Sequence, residues 1–300
     1  MMATARTSIG NRYILRLDGV DAGFVQSFEG GDIVGEVVSA TVGTSEISRK
    51  HIGSVRYEPI TLEVSIPING PLRDWVYSFM NLNIQHKNGS IIVADYDYNA
   101  VKEIEFSNAL ISEVGFPAAD ASAKEAAYLT VKIRPEFTRS KKTGGKINVK
   151  PAIKQKGALV SNFRLNIDGL DCSKVAKVSG LTVRQTFSGD ELGSMRDYEL
   201  LLTSVEFSNL AVTFAAASAK SWEDWFEDFV IKGNSGQDQE KSGSITYLSP
   251  DLKGELLTIE LSNLGIFSLK SEKAENTADQ VPRMTAQLYC EQMKLAKIKQ

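Results

Sequence analysis

The stretch Arg16-Leu-Asp-Gly-Val-Asp21 returns 150 residues later as Asn166-Ile-Asp-Gly-Leu-Asp171, and the reading of the whole chain turns on that recurrence. At the same offset Asp74-Trp75 returns as Asp224-Trp225, each opening a short amphipathic stretch. Further along, Asn88-Gly-Ser90 matches Ser242-Gly-Ser244, Ile104-Glu-Phe-Ser-Asn108 matches Ile259-Glu-Leu-Ser-Asn263, and Thr130–Glu136 matches Thr285–Glu291, now at offsets of 154 and 155. Matches in one order with one small drift indicate tandem duplication of a domain of roughly 130 residues. The expected organisation is a first domain with an N-terminal arm over 1–140, a linker over 141–158 and a second domain over 159–300. Duplicated units tend to pack as pseudo-symmetric modules, which points to an assembly component before a solitary catalyst.

Most periodic segments alternate with period two, as half-buried antiparallel strands do. Ile60, Leu62, Val64 and Ile66 alternate with polar residues, as do Leu129, Val131 and Ile133. The second copy repeats the pattern at Leu210, Val212 and Phe214, at Leu257, Ile259 and Leu261, and at Met284, Ala286 and Leu288. Asn69-Gly70 and Asn88-Gly89 read as turn dipeptides. One helix per copy interrupts the strands. Leu72, Trp75, Val76 and Phe79 fall at helical spacing after Pro71, and Trp222, Trp225, Phe226 and Phe229 do so after Ser221, the expected N-cap. Trp75, Phe79, Trp225 and Phe229 are the expected core anchors of these helices. The fold class expected is mainly β: two similar antiparallel β-sandwich or barrel domains, each with one flanking α-helix.

The segment Arg139–Pro151, continuing to Gly157, is basic and rich in Gly and Lys and reads as a linker; 232–243 reads as the flexible loop that absorbs the offset drift. Hydrophobic content of 42%, charged content of 24% and net charge −3 are those of an ordinary globular chain. They do not advertise a nucleic-acid-binding surface. No apolar run approaches the roughly 18 residues of a membrane helix, the start of the chain lacks the apolar core of a secretory signal, and no membrane partner is expected. Cys172 and Cys290 read as free thiols in a reducing compartment.

No catalytic constellation is present, and no cofactor or metal is expected. His51 and His86 lie in no metal-ligand spacing, no phosphate-cradling glycine loop occurs, and there is no Gly-x-Ser-x-Gly elbow. Asp18-Gly19 and Asp168-Gly169 read as tight turns, since further oxygen ligands for calcium are lacking.

In order along copy one stand Tyr13-Ile-Leu-Arg-Leu-Asp-Gly19, Phe24-Val-Gln-Ser-Phe-Glu-Gly30, Arg49-Lys-His-Ile-Gly53, Tyr57-Glu-Pro-Ile-Thr-Leu62 and Asp74-Trp75. Copy two offers Phe163-Arg-Leu-Asn-Ile-Asp-Gly169, Val175-Ala-Lys-Val-Ser-Gly-Leu181 and Asp224-Trp225, without the Lys-x-x-Gly signature. This series resembles the tail tube proteins of contractile-tailed bacteriophages and related contractile injection systems. The resemblance implies a structural, non-enzymatic protein of a virion tail, assembled in the bacterial host cytoplasm. Its partners would be further copies of itself in stacked rings, sheath and baseplate proteins, and DNA or effector cargo passing through the lumen without specific binding. Family rings hold six single-domain subunits, so three two-domain chains would make a pseudo-six-fold ring. A ring of six chains with only one lining domain is the other arrangement. A trimeric baseplate hub or tail-terminator protein and a carbohydrate-binding β-sandwich pair are the alternative functions.

Within that resemblance, the excursions 31–53 and 185–198 are the expected contacts to neighbouring subunits or rings. Their candidate residues are Ile33, Val37, Val42, Ile47, Arg49 and Lys50 in copy one, and Phe187, Leu192, Met195 and Arg196 in copy two. Glu63, Glu103 and Glu105 are candidates for an acidic lumen wall that would repel phosphates.

Overall fold

The computed structural model describes residues 12–40, 48–68, 70–147, 157–191, 198–272 and 282–296. In the first half the chain runs through β1 (Arg12–Leu17), β2 (Val20–Val25), β3 (Ser27–Gly30), β4 (Ile33–Ala40), β5 (Arg49–Tyr57) and β6 (Ile60–Ser65). Helix α1 (Gly70–Met80) follows, then β7 (Lys87–Ala94), β8 (Ala100–Phe116), β9 (Ala119–Asp120), β10 (Tyr128–Arg134) and β11 (Phe137–Lys142). The second half comprises β12 (Phe163–Ile167), β13 (Val175–Val178), β14 (Leu181–Glu191), β15 (Tyr198–Phe207) and β16 (Leu210–Ala215). It ends with α2 (Lys220–Phe226), β17 (Lys241–Leu248), β18 (Glu255–Ser271) and β19 (Arg283–Leu295). The fold is mainly β, in the expected class.

Apart from β2, which has no counterpart among the described strands of the second half, the two halves share one strand order. In the first it is β2-β1-β7-β8-β10-β6-β3, all antiparallel, and the near-continuity of β2 with β3 rolls the sheet toward a barrel. In the second it is β12-β17-β18-β19-β16-β13. Even the irregularities correspond. Asn108 in β8 and Asn263 in β18 both hold left-handed backbone, at φ 48° and 55°, where the register to the neighbouring strand slips. β10 and β11 lie along one side of β8, broken at Pro135; β19 covers the same length of β18 without a break.

Alternation puts one face of each strand inside. Ile60, Leu62, Val64 and Ile66 are buried, as are Leu129, Val131 and Ile133, and the same face of β16 and β18 is closed by Val212, Phe214, Ile259 and Leu261. The helices cover the barrel interiors: Leu72, Trp75, Val76 and Phe79 are buried on α1, while Trp222 stacks on Phe214 at 4.6 Å between ring centroids. Each such side chain contributes about 1.5–3 kcal/mol when taken out of water, so the helices are held by tertiary packing rather than by propensity. One apolar cluster runs through both halves.

Three local expectations are corrected. Asn88-Gly89 does not make a hairpin turn; it lies inside β7 at a bulge, where Asn88 Oδ1 accepts the Asn108 N–H at 2.9 Å. A Cβ on Gly89 would stand 2.3 Å from the Arg16 carbonyl oxygen and 2.5 Å from the Phe106 ring, so the close approach of backbones requires glycine there. Gly243 meets the Asn166 carbonyl in the same way. Gly89→Ala is expected to cost about 2–3 kcal/mol through overpacking, read as a lower denaturant midpoint at unchanged slope. Ser221 is not the N-cap of α2, which starts at Lys220 after Ala219; its hydroxyl accepts the Asp171 N–H instead, tying the turn after β12 to the helix. The basic segment read as a linker starts within β11, and Ile147 closes a small second core with Ile14, Ile92 and Ala94. An apolar side chain in a polar run follows the sheet it can cover.

Candidate assembly interface

Hairpin β4–β5 stands as a separate two-stranded sheet, joined laterally to no other described strand. Its residues mix β-branched and polar types, which suits strands, yet beyond Tyr57, buried at the base of the hairpin, its large apolar side chains stay mostly exposed. Ile33 is 51% exposed, Val37 61% and Ile52 56%. Val37 and Ile52 face each other across the hairpin. Isolated two-stranded ribbons are marginal in water, and a cluster of exposed β-branched side chains on one marks a contact surface.

The counterpart hairpin β14–β15 is built alike and sits differently. Phe187 opposes Leu202 in the place of Val37 and Ile52, beside a register slip at the matching position. The Ser208 N–H donates to the Thr182 carbonyl at 2.9 Å, as the Glu58 N–H donates to that of Asp32 at 2.9 Å. Here, however, β14 adds laterally to β8 of the first half, pairing Leu181 with Phe116, Thr182 with Gly115, Val183 with Val114 and Arg184 with Glu113. Val183 and Val114 are both fully buried at this seam, and Phe187 and Leu202 are half-buried.

Charge and hydrogen bonding reinforce the seam. Arg184 Nε lies 2.7 Å from Glu113, and Lys177 Nζ lies 2.8 Å from Asp120. Lys177, with the Ser122 hydroxyl and N–H, holds the Asp120 carboxyl well below the usual carboxylate range. The buried Tyr247 hydroxyl donates to the Pro117 carbonyl at 2.5 Å, and burial pushes its ionisation upward. β9 adds to β13 on the far side.

The matching edge on β18 is open. β19 pairs along one side of 264–271, but β17 stops at Leu264 on the other, and no described strand continues past it. That is the edge β14 occupies on β8. Phe267 on this stretch is 44% exposed and Leu269 half-buried. An unpaired edge with apolar side chains is a template for another strand.

Of the expected contact residues, Ile33, Val37, Arg49 and Lys50 lie exposed on the β4–β5 hairpin and Phe187 on the docked one; Val42, Ile47, Leu192, Met195 and Arg196 fall outside the described residues. The three acidic candidates do not form one cluster. Glu63 on β6 accepts the Ser27 hydroxyl at 2.6 Å, whereas Glu103 and Glu105 on β8 share Lys141, at 3.3 and 2.5 Å, so part of their charge is offset. Burial opposes ionisation of Glu103, but the Ser90 hydroxyl and Lys141 outweigh it and lower its pKa. Trp75, Phe79, Trp225 and Phe229 are buried, with the Trp75 indole N–H donating to the Gln85 carbonyl and Lys241 lying 5.3 Å over the Trp225 ring. Cys172 and Cys290 are free thiols, the second buried and pushed up to about 11 by desolvation. Among the described residues no group of His, Cys, Asp and Glu could hold a metal ion. Sequence reasoning missed Val114, Leu181, Val183 and the β18 edge. Their alternation was visible, but a strand's partner is not written in its own pattern.

Residues 10–137 match the family described as T4-like virus tail tube protein gp19. No curated protein matches the chain. Among solved structures, the sheath–tube complex of an extracellular contractile injection system (PVC) is similar at 19% identity and TM-score 0.39, over 44% of this chain and 89% of that one. The tube-terminating cap of the anti-feeding prophage is similar at 19% identity and TM-score 0.39, over 48% and 94%. The baseplate of the anti-feeding prophage is similar at 18% identity and TM-score 0.40, over 47% and 97%.

Proposed function

We propose that this chain, whose residues 10–137 match the T4-like virus tail tube family, is a tube protein made of two copies of one tube domain, 1–140 and 159–300, joined through 141–158. The shared strand order and the matched hairpins support the duplication. Three chains then supply six domains to a pseudo-six-fold ring, and rings stack into a tube within a phage-like tail particle. The observation that carries this reading is the seam inside the chain, where one half's hairpin extends the sheet of the other. A sheet that passes from domain to domain by lateral strand addition closes its edges only when the series closes on itself.

The tube is a passive conduit. Sheath outside, baseplate at one end and DNA or effector cargo inside are its proposed neighbours, and the cargo passes without specific binding. Glu63, Glu103 and Glu105 contribute acidic groups that would repel phosphates, with Lys141 tempering the pair on β8. Electron microscopy of the purified protein tests the proposal. Stacked rings or hollow rods are the expected result, and particles that stay monomeric at high concentration contradict it.

A further inference from the structure

Among the described residues there is one filled seam, one unpartnered hairpin and one open edge, and the last two match the two sides of the first. We propose that β4 of one copy adds to the open edge of β18 of a second copy of this chain, in the register that β14 takes on β8. This rests on the tube reading for its partner, and on the structure for its geometry.

The register follows from the repeat. β14 stands 150 residues after the start of the excursion that becomes β4, and β18 stands 155 after β8. Carrying the pairs Thr182–Gly115, Val183–Val114 and Arg184–Glu113 across these offsets gives Asp32–Lys270, Ile33–Leu269 and Val34–Ser268 between chains; Gly31, in left-handed backbone at φ 81°, ends the run where Leu181 continues it. That register was not chosen for its chemistry, yet it sets two complementary pairs. Ile33, now 51% exposed, meets the half-buried Leu269, where Val183 meets Val114. Asp32 and Lys270, both exposed, meet as opposite charges directly across the strands. A slip by one residue would turn Ile33 to the other face and set Asp32 against Leu269.

Hydrogen-bond direction agrees. The Asp32 carbonyl accepts from Glu58 within the hairpin, as the Thr182 carbonyl does from Ser208. The main-chain groups of these two residues therefore point toward their own hairpin. The Asp32–Lys270 pair is consequently of the non-hydrogen-bonded kind, in which side chains approach most closely. Such a pair lies within reach of a disulfide.

The test uses the full chain with Asp32→Cys and Lys270→Cys together, oxidised under assembly conditions. Interchain disulfides are expected from the double variant and not from either single variant, and a one-residue-shifted pair, Asp32→Cys with Leu269→Cys, should cross-link poorly. In a second arm Asp32→Lys or Lys270→Asp alone is expected to weaken association roughly tenfold per interface, and the double exchange to restore it. Assembled particles without cross-links, or cross-links favouring the shifted pair, would overturn the register and leave the tube reading standing. A covalent ladder running well past three chains would support the strand pairing and contradict the three-chain ring. Chains that remain monomeric throughout would overturn both.

Discussion

Val37→Lys combined with Ile52→Lys is expected to leave the chain folded and abolish its assembly. Both side chains are more than half exposed in the single chain and oppose each other away from the buried Tyr57 at the base of the hairpin, so their removal costs the fold little. Their counterparts Phe187 and Leu202 are half-buried on the hairpin that is docked. If docking on a neighbour buries Val37 and Ile52 likewise, each contributes about 1.5 kcal/mol or more to association, and losing both weakens each interface by about a hundredfold. Thermal denaturation should show an unchanged midpoint, and sedimentation should show monomers where the parent chain forms particles. Particles of normal size from the double variant would place the contact elsewhere.

The second large effect compares two matching positions. Val114 is fully buried at the seam between the halves, opposite the equally buried Val183. Val114→Asp puts a carboxylate into an apolar seam without a partner and is expected to cost about 4 kcal/mol or more, enough to unfold much of the chain at ambient temperature. Leu269→Asp, at the matching place on the β18 edge, replaces a side chain that is only half-buried in the single chain and should cost clearly less there, about 1–2 kcal/mol, while preventing assembly. Urea unfolding of both variants, with sizing of the second, checks the contrast. Equal destabilisation by the two would mean that the β18 edge is already covered within one chain.

The parts of this fold legible in the sequence are those set by near neighbours. Period-two alternation in 60–66, 129–133 and 210–214 needs only the strand itself, and the helix faces carrying Trp75 and Trp225 need only a few turns. The repeat was legible because matching positions meet matching constraints. Asn108 and Asn263 both take the left-handed backbone at a bulge, and Gly89 and Gly243 both face a crossing backbone. Where the sequence misled, a distant partner decided. Asn88-Gly89 has the composition of a turn, but Phe106 and Arg16 fix it within a strand. Ser221 has the composition of a cap, but the Asp171 N–H claims its hydroxyl. Ile147 sits in a run of lysines and glycines and packs on Ile14 and Ile92. The lateral addition of β14 to β8 is the extreme case, since 65 residues separate Phe116 from Leu181 and nothing local marks them as partners.

The number of chains in one layer of the assembled particle tests the central claim most directly. Charge-detection mass measurement of isolated rings, or the symmetry of a cryo-electron microscopy reconstruction, would supply it. The account predicts three chains, with six similar domains around the axis and alternating seams of the two kinds. Six chains per layer, with one half of each lying outside the ring, would contradict it.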